Sequence, residues 1–269
     1  MACSGGADPL DRPDFAEWTM VEESRFAAPE ARQGVAVDGD FIYVIGNAVI
    51  GKYDKHTFQK VGEWSSPEDG PIIHFNAGWV RDGELVVAHS NYPEVPMTGS
   101  IEWFKVDTLE PIRSHSFGQY FGSLTWMDRR AGAWFACFAH YSNRAAEPNR
   151  DPTWTNLVRF DEQWRRTGGW VFPPELFEHI GGDYTLSGGA FGPDGFLYVT
   201  GHDDRELHVL QFPKMGSVME WLGTIMVPVE GQAFAWDPSD PERFYGIVKA
   251  ERQVVVARLV RPASEAELE

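Results

Sequence analysis

Short apolar segments separated by acidic, glycine-containing turns recur along this chain, and one pattern returns five times. Each copy has a small or apolar start, a hydrophobic pair and an aspartate that opens a turn into a second apolar segment. The copies lie at 34–39, 78–83, 124–128, 190–195 and 233–237, and their aspartates are separated by 44, 46, 66 and 43 residues. The segments have the length and the turn residues of β-strands, so the pattern predicts a repeated β unit.

Each repeat supplies enough apolar segments for four strands. In the first repeat they lie at 34–37, 41–45, 49–53 and 60–64, with Asp, Gly and Asn in the intervening turns. Four short strands in a unit of roughly 40–50 residues are typical of a propeller blade. We therefore expect an all-β, five-bladed β-propeller in one domain spanning 1–269, with flexible tails at 1–14 and 261–269.

The last repeat has too few strands, and the N-terminal region has one too many. After Leu259 the chain becomes polar, whereas the strand-like segment 17–26 has no blade of its own. We expect this N-terminal strand to complete the last blade, because the pairing would remove two exposed sheet edges. Helix is expected at most as a turn or two near 174–177.

Two long polar insertions occupy the same junction in neighbouring repeats. Segments 90–97 and 141–152 both lie between the second and third strands of their blades. Long loops in a compact domain are usually functional or disordered. These two would lie at the same end of the ring, and we expect them to form a rim over the channel mouth.

The charge and hydropathy of the chain exclude some partners. The 269 residues carry a formal net charge of −17, which disfavours nucleic acid because phosphate backbones are also negative. No apolar stretch approaches the roughly 20 residues that a membrane span needs. A small-molecule substrate is the expected partner, and the sequence does not indicate an oligomeric state.

The two cysteines leave the cellular location open. Cys137 lies inside an apolar strand and Cys3 in a small-residue start, so the pair predicts no disulfide framework. The start resembles the processed end of a bacterial lipoprotein, which would place the protein outside the cytoplasm. The alternative is a flexible tail that contains a chance cysteine.

Histidines cluster at one end of the predicted ring. His89, His140 and His202 stand at the ends of second strands, and His74 precedes an inner strand. Several imidazoles in one place suit Zn²⁺, Fe²⁺ or Mn²⁺, so these four are the candidate metal ligands. The second-strand histidines differ in register by one or two residues, and a one-residue slip turns a side chain to the other face. The alternative is that each histidine is a hydrogen-bonded strut between blades.

Other polar and aromatic residues map to the same end. The candidate ligand-binding residues are Gln33, Asn76 and Gln232 before inner strands, and Asn91, Tyr92 and Tyr141 in the rim loops. Amides can orient a polar ligand, and tyrosine rings can stack on it. Glu94 and Glu230 are the candidate catalytic proton carriers, with pKa values raised by burial.

The first repeat resembles a loose group of bacterial propellers. Gln33-Gly34-Val35-Ala36-Val37 with Phe41-Ile42-Tyr43-Val44 and Ile50-Gly51-Lys52-Tyr53-Asp54 is similar to blades of lactonase-like and cycloisomerase-like repeat proteins. Gln33-Gly34 is also similar to a blade opening of plant and bacterial-type glutaminyl cyclases, which are five-bladed propellers. This chain lacks that family's Glu-Gly-Trp-Gly and Ser-Asp-Gly stretches, and Glu230-Gly231-Gln232 is only a partial match. The resemblance implies the fold and transfers no catalytic residue.

Two functions are compatible with these observations. The first is an enzyme that acts on a small polar or aromatic substrate at the channel mouth by metal-assisted lyase, isomerase or hydrolase chemistry. The second is a noncatalytic module whose rim loops bind a glycan or a protein, anchored to a surface if Cys3 is lipidated. The fold alone does not choose between them, because propellers host both.

Overall fold

The chain forms five antiparallel sheets of four strands each, arranged as blades in a ring. The computed structural model describes residues 13–119 and 121–262. This architecture confirms the five-bladed β-propeller that the repeat predicts. Cys3 and most of the two predicted tails lie outside the described residues.

The first four blades each take their strands in chain order from the channel outward. Blade 1 consists of β2 (Gly34–Val37), β3 (Phe41–Ile45), β4 (Val49–Asp54) and β5 (Lys60–Ser65). Blade 2 consists of β6 (His74–Arg81), β7 (Glu84–Ser90), β8 (Gly99–Lys105) and β9 (Pro111–Gly118). Blade 3 consists of β10 (Ser123–Arg130), β11 (Ala133–Ala139), β12 (Asn156–Phe160) and β13 (Arg166–Val171). Blade 4 consists of β14 (Gly188–Phe191), β15 (Leu197–Thr200), β16 (Glu206–Gln211) and β17 (Glu220–Met226).

The fifth blade joins the two ends of the chain. Its strands are β18 (Ala235–Asp237), β19 (Asp240–Val248) and β20 (Gln253–Val260), and its outermost strand is the N-terminal β1 (Thr19–Ala27). The antiparallel pairing of β1 with β20 runs from Thr19 opposite Val260 to Ala27 opposite Gln253. The predicted closure of the ring by the N-terminal strand is therefore confirmed.

The repeated aspartate has a local structural role. Asp38 accepts hydrogen bonds from the Phe41 backbone N–H at 2.7 Å and from the Tyr43 hydroxyl at 2.8 Å. Asp194 accepts the Tyr198 hydroxyl in the same way, at 2.7 Å. In these two blades the aspartate closes the turn between the inner and second strands and satisfies a buried tyrosine.

Five hydrophobic clusters fill the five interfaces between neighbouring blades. Every cluster contains buried side chains from both blades that it joins, as expected when a blade cannot bury its faces alone. Representative pairs, from the blade 1–2 interface round to the blade 5–1 interface, are Tyr43 and Phe75, Trp103 and Trp134, Trp126 and Leu197, Tyr198 and Phe244, and Ile247 and Val35.

The described helical segments are short and lie before the first blade, between blades 3 and 4, or in the loop between β11 and β12. The helix α1 (Pro174–Ile180) connects blades 3 and 4 where a turn or two of helix is predicted. Single 3₁₀ turns occur at Phe15–Glu17 and Pro152–Trp154. None of the helices in the described ranges has the length and apolar character needed to cross a bilayer.

A buried ion pair fastens the interface between blades 5 and 1. Lys55 Nζ lies 2.8 Å from Asp237 Oδ1, with side chains that are 5% and 0% exposed. The same ammonium donates to the Asp38 carbonyl oxygen at 2.9 Å and to Ser239 Oγ at 3.1 Å. The Lys55 ammonium makes its hydrogen bonds inside the protein, so it joins blades 5 and 1 where the ring closes.

Replacing Lys55 should weaken the closed ring. In Lys55→Met the Asp237 carboxylate stays buried without its cation, so we expect the free energy of unfolding to fall by about 3 kcal/mol. Urea unfolding followed by tryptophan fluorescence measures the change. Lys105→Met is the matched control, because its ion pair with Glu110 is exposed and should contribute less than about 1 kcal/mol. Equal losses in the two variants would contradict the assignment.

Candidate functional site

One end of the central channel opens into a polar cavity of about 210 Å³ that all five blades line. Its walls come from residues at the starts of inner strands, from residues just after second strands and from the long loops. The lining residues are Arg32, Gln33, Asn47, His74, Asn76, Tyr92, Thr125, Tyr141, Arg144, Tyr184, Ser187, His202, Gln232 and Lys249. We call this the axial cavity.

The opposite half of the channel is narrower and mostly apolar. Its cavity of about 140 Å³ is lined by the far ends of the inner strands, including Val37, Trp79, Phe191 and Trp236. Asp128 also reaches this half; burial raises the pKa of its carboxyl to about 6, and the carboxylate accepts a hydrogen bond from the Phe191 N–H. Of the residues that the structure describes, Asp128 is the one charged residue in the lining of this half, whereas polar and charged side chains make up most of the lining of the axial cavity.

Two β-bulges direct side chains into the axial cavity. The pairing of β6 with β7 shifts between Phe75 and Gly78, and that of β10 with β11 shifts between Leu124 and Trp126. Asn76 falls in the first irregularity and Thr125 in the second, and both line the cavity. Bulges re-aim side chains next to active sites, which is the effect observed here.

Five of the six predicted ligand-binding residues line the axial cavity. They are Gln33, Asn76, Tyr92, Tyr141 and Gln232. The sixth, Asn91, lies outside the lining and shapes its own loop: its amide donates to the Pro96 carbonyl at 3.0 Å and accepts from the Thr98 N–H at 2.7 Å. Gln33 and Gln232 precede their inner strands as predicted, whereas Asn76 lies inside β6, in contrast to the sequence-based expectation.

Aromatic rings from blades 2, 3 and 4 form one continuous side of the cavity. His74 lies 4.9 Å from the Tyr92 ring, which lies 5.4 Å from Tyr141 and 6.4 Å from Tyr184. The ring of Tyr184 stacks on His202 at 3.9 Å with an interplanar angle of 11°. The two rim loops and the segment after α1 meet in this aromatic wall, which offers flat surfaces to a planar ligand.

Three cationic side chains face the cavity without acidic partners. In the part of the chain that the structure describes, Arg32, Arg144 and Lys249 line the cavity, and no carboxylate lies within 4 Å of their side-chain nitrogens. Burial lowers the pKa of Lys249 and the positive charge of Arg32 lowers it further, while the more distant carboxylates of Asp203 and Glu230 raise it in part. None of the lining residues is an aspartate or glutamate, so the cavity is positive within a strongly negative protein.

His202 is held by a carboxylate at the edge of the cavity. Its Nδ1 lies 2.7 Å from Asp203 Oδ1, and its backbone carbonyl accepts the Gln232 amide at 3.2 Å. Burial lowers the pKa of His202, while the Asp203 charge raises it in part. With Nδ1 engaged by Asp203, Nε2 is the ring nitrogen left for a ligand, an arrangement that serves general acid–base catalysis.

His74 lines the same cavity in its neutral form. Burial lowers its pKa to about 4, and the charges of Lys249 and Arg144 act in the same direction. It belongs to strand β6 itself and does not precede it, in contrast to the sequence-based expectation. At neutral pH this imidazole is a hydrogen-bonding group without charge.

The other two predicted metal ligands do not line the axial cavity. His89 bonds within its own blade, with Nδ1 2.9 Å from Ser100 Oγ and Nε2 accepting from the Ile73 N–H at 3.3 Å. His140 is buried, with Nε2 3.1 Å from the Phe121 carbonyl oxygen. The register difference among the second-strand histidines accounts for this: His89 lies inside β7, His140 one residue after β11 and His202 two residues after β15.

The four-histidine metal centre stays a prediction that this arrangement does not support. Only His74 and His202 share the axial cavity, and the nearby cations Arg32, Arg144 and Lys249 would repel a divalent metal ion. Within the described ranges, the one group of three or more His, Cys, Asp or Glu side chains with ligand atoms within 4.8 Å is His179, Glu206 and His208. That group lies elsewhere, on α1 and β16.

Neither predicted proton carrier lines the cavity. Glu94 is exposed on the blade 2 rim loop. Glu230 precedes the inner strand of blade 5, and its carboxylate accepts a hydrogen bond from the Ala250 N–H at 3.3 Å. The catalytic roles of these glutamates therefore stay predictions, and the titratable groups that reach the cavity are histidines, tyrosines and a lysine.

The sequence reasoning missed the cations, although their positions repeat the signal that it used. Lys249 follows the second strand of blade 5 and Asn47 that of blade 1, as His202 does in blade 4. Arg32 immediately precedes Gln33. Considering any polar residue at these positions, and not only metal-ligating types, identifies Arg32, Asn47 and Lys249, whereas Arg144 lies in a rim loop and shares no such position.

The pKa of His89 predicts a loss of stability in mild acid. Burial lowers this pKa from 6.5 to about 4, so between these values the unfolded chain binds a proton that the folded chain does not. The free energy of unfolding should therefore fall as pH falls from 7 to 5, by about 2 kcal/mol from this group alone. Urea unfolding at both pH values measures this change, and the free energy of unfolding should fall less in His89→Gln than in wild type. His56→Gln is an exposed control and should show the same pH dependence of stability as wild type. Identical pH dependence in all three proteins would contradict the role of His89.

Comparisons with known proteins support the fold and do not assign a family. No family model matches this chain, and no curated protein matches it. A solved structure of luciferin-regenerating enzyme is similar with a TM-score of 0.52 and 10% identity, over 90% of this chain and 95% of that one. A chain of the mitotic checkpoint complex is similar with a TM-score of 0.49 and 10% identity, over 95% of this chain and 100% of that one. The Kuenenia stuttgartiensis hydrazine synthase is similar with a TM-score of 0.47 and 12% identity, over 85% of this chain and 70% of that one. Likeness at this identity concerns the fold, and the resemblance to lactonase-like or glutaminyl cyclase propellers stays a prediction.

Proposed function

We propose that the axial cavity binds a small planar anion, and that the protein is an enzyme that moves a proton on it. The observation that carries the proposal is the set of Arg32, Arg144 and Lys249, which face the cavity without carboxylate partners in the described ranges. A carboxylate or similar anion would supply the missing charge and accept hydrogen bonds from these groups.

The shape and walls of the cavity limit the ligand to a small molecule with a flat part. A volume of about 210 Å³ suits a molecule of roughly one aromatic ring plus a substituent. Tyr92 and Tyr184 would flank the flat part, while the amides of Gln33, Asn76 and Gln232 would bond its polar atoms.

The proton-transfer role falls to His202. Asp203 fixes its Nδ1, which orients Nε2 and favours the imidazolium that forms when the ring accepts a proton. Lys249 and Arg32 would stabilise negative charge that develops on the substrate as the proton leaves carbon. Removal of a proton next to a carboxylate is a step of isomerases and lyases, so these are the favoured reaction classes. Luciferin-regenerating enzyme, which shares the architecture, is by its name an enzyme, but propellers host many functions.

Binding of an anion is tested with three near-isosteric probes of different charge. Benzoate should raise the melting temperature of the protein, whereas benzamide and benzamidinium should not. Lys249→Met and Arg32→Met should each weaken benzoate binding roughly 10- to 100-fold, because each removes a charge-assisted hydrogen bond. Isothermal titration calorimetry gives the affinities.

The control for this experiment removes a cation elsewhere. Lys214→Met changes the net charge in the same way at an exposed position outside the cavity, and it should bind benzoate as wild type does. Preference for benzamidinium, or equal weakening in Lys214→Met and Lys249→Met, would refute the anion site.

Catalysis is tested by exchange of carbon-bound hydrogen. Wild-type protein is incubated in D₂O with a panel of 2-oxo, 3-oxo and unsaturated carboxylic acids, and proton NMR follows the acidic carbon-bound hydrogens of each acid, which are those next to a ketone or carboxylate or in the allylic position. Any acid that the enzyme accepts should exchange or convert, and His202→Gln should slow this roughly 100- to 10,000-fold while leaving benzoate affinity within a few-fold. Benzoate binding without exchange of any acid in the panel would instead identify a noncatalytic anion-binding module.

A further inference from the structure

A second group of ligating side chains lies on the outer part of blade 4, away from the axial cavity. His179 is in the last turn of α1, and Glu206 and His208 share one face of strand β16. His179 Nε2 is 2.8 Å from Glu206 Oε2, and His208 Nε2 is 3.9 Å from the same oxygen. All three ligand atoms lie within 4.8 Å of one another.

These separations fit a tetrahedral ion. Zn²⁺ binds imidazole nitrogen at about 2.0–2.1 Å and carboxylate oxygen at about 2.0–2.2 Å, which places neighbouring ligand atoms about 3.3–3.5 Å apart. The observed distances of 2.8 and 3.9 Å bracket that value, so small side-chain rotations would bring the atoms onto one ion. Two histidines and one glutamate form a known ligand set for zinc with one open position.

Contacts behind the three ligating atoms already orient His208, the buried member of the group. His208 Nδ1 lies 2.9 Å from Thr224 Oγ1 on the neighbouring strand β17, and the His208 side chain is 1% exposed. When Nδ1–H donates to the threonine, Nε2 keeps its lone pair on the side of Glu206, which is the tautomer that metal-bound histidines use. Trp221 packs against both imidazoles, with ring centres 5.1 Å from His179 and 5.8 Å from His208.

We propose that His179, Glu206 and His208 form a Zn²⁺ site that fastens α1 to blade 4. His179 is 41% exposed, so the fourth coordination position faces solvent and would take water.

The chain segment that follows α1 links the proposed Zn²⁺ site to the axial cavity. The chain leaves α1 through Gly181 and Gly182, both with positive φ angles, and then reaches Tyr184 in the aromatic wall. Fixing His179 would therefore restrict the segment that carries Tyr184. The inference stands on this cluster alone and is independent of the proposed enzyme activity.

Zinc titration of the tag-free, chelator-treated full-length protein tests the site. Calorimetry should give one strong Zn²⁺ site in wild type, with an increase in melting temperature. His179→Ala should weaken binding by more than 100-fold, and Thr224→Val should weaken it roughly 10-fold through the loss of orientation. Because His179 is at the surface, its variant should fold normally. The Co²⁺-substituted protein should show tetrahedral visible absorption that His179→Ala loses.

Two control variants define the outcome. His56→Ala removes an exposed histidine from a different blade, and His202→Gln removes one from the axial cavity; both should bind Zn²⁺ as wild type does. Unchanged affinity in His179→Ala would overturn the proposal, as would loss of the strong site in His202→Gln, which would place the metal in the channel. Absence of any stoichiometric binding to wild type would also overturn it.

Discussion

The closed ring is the constraint from which the other features of this structure follow. A single four-stranded blade has two apolar faces and cannot bury either alone; here each face packs against a neighbour through one of five hydrophobic clusters. The pairing of β1 with β20 completes the last blade, and the apolar side chains Trp18 and Met20 from the N-terminal region enter the cluster between blades 4 and 5. Without that strand, blade 5 would expose both a sheet edge and an apolar surface.

Ring closure also concentrates polar side chains that are far apart in sequence. Arg32 and Lys249 come from opposite ends of the chain, yet the charge of one lowers the pKa of the other. The net charge of −17 describes the whole surface, whereas the cavity walls carry cations and no carboxylate. A cavity whose lining is opposite in sign to the whole protein suits an anionic ligand, which is the basis of the proposed function.

The histidines show how one residue type takes different roles in equivalent places. His202 projects beyond its strand into the axial cavity beside Asp203, while His89 stays within β7 and ties its own blade together. Both are largely buried, and burial lowers both pKa values. Their difference is one of position, because His89 lies inside β7 whereas His202 lies two residues beyond the end of β15. His179 and His208 belong to a separate cluster that links an inserted helix to blade 4.

The sequence determined the architecture, since a period of apolar strands and acidic turns specifies the number of blades, and the unmatched strand at 17–26 specifies the closure. It also placed Gln33, Asn76 and Gln232 correctly at the cavity, because the starts of inner strands open onto one end of any propeller. Tertiary structure alone decided which side chains face the axis. The β-bulges at Asn76 and Thr125 re-aim their strands, and loop packing brings Tyr184 against His202. A register shift of one residue or the path of a loop depends on contacts between distant segments, so local pattern cannot fix it.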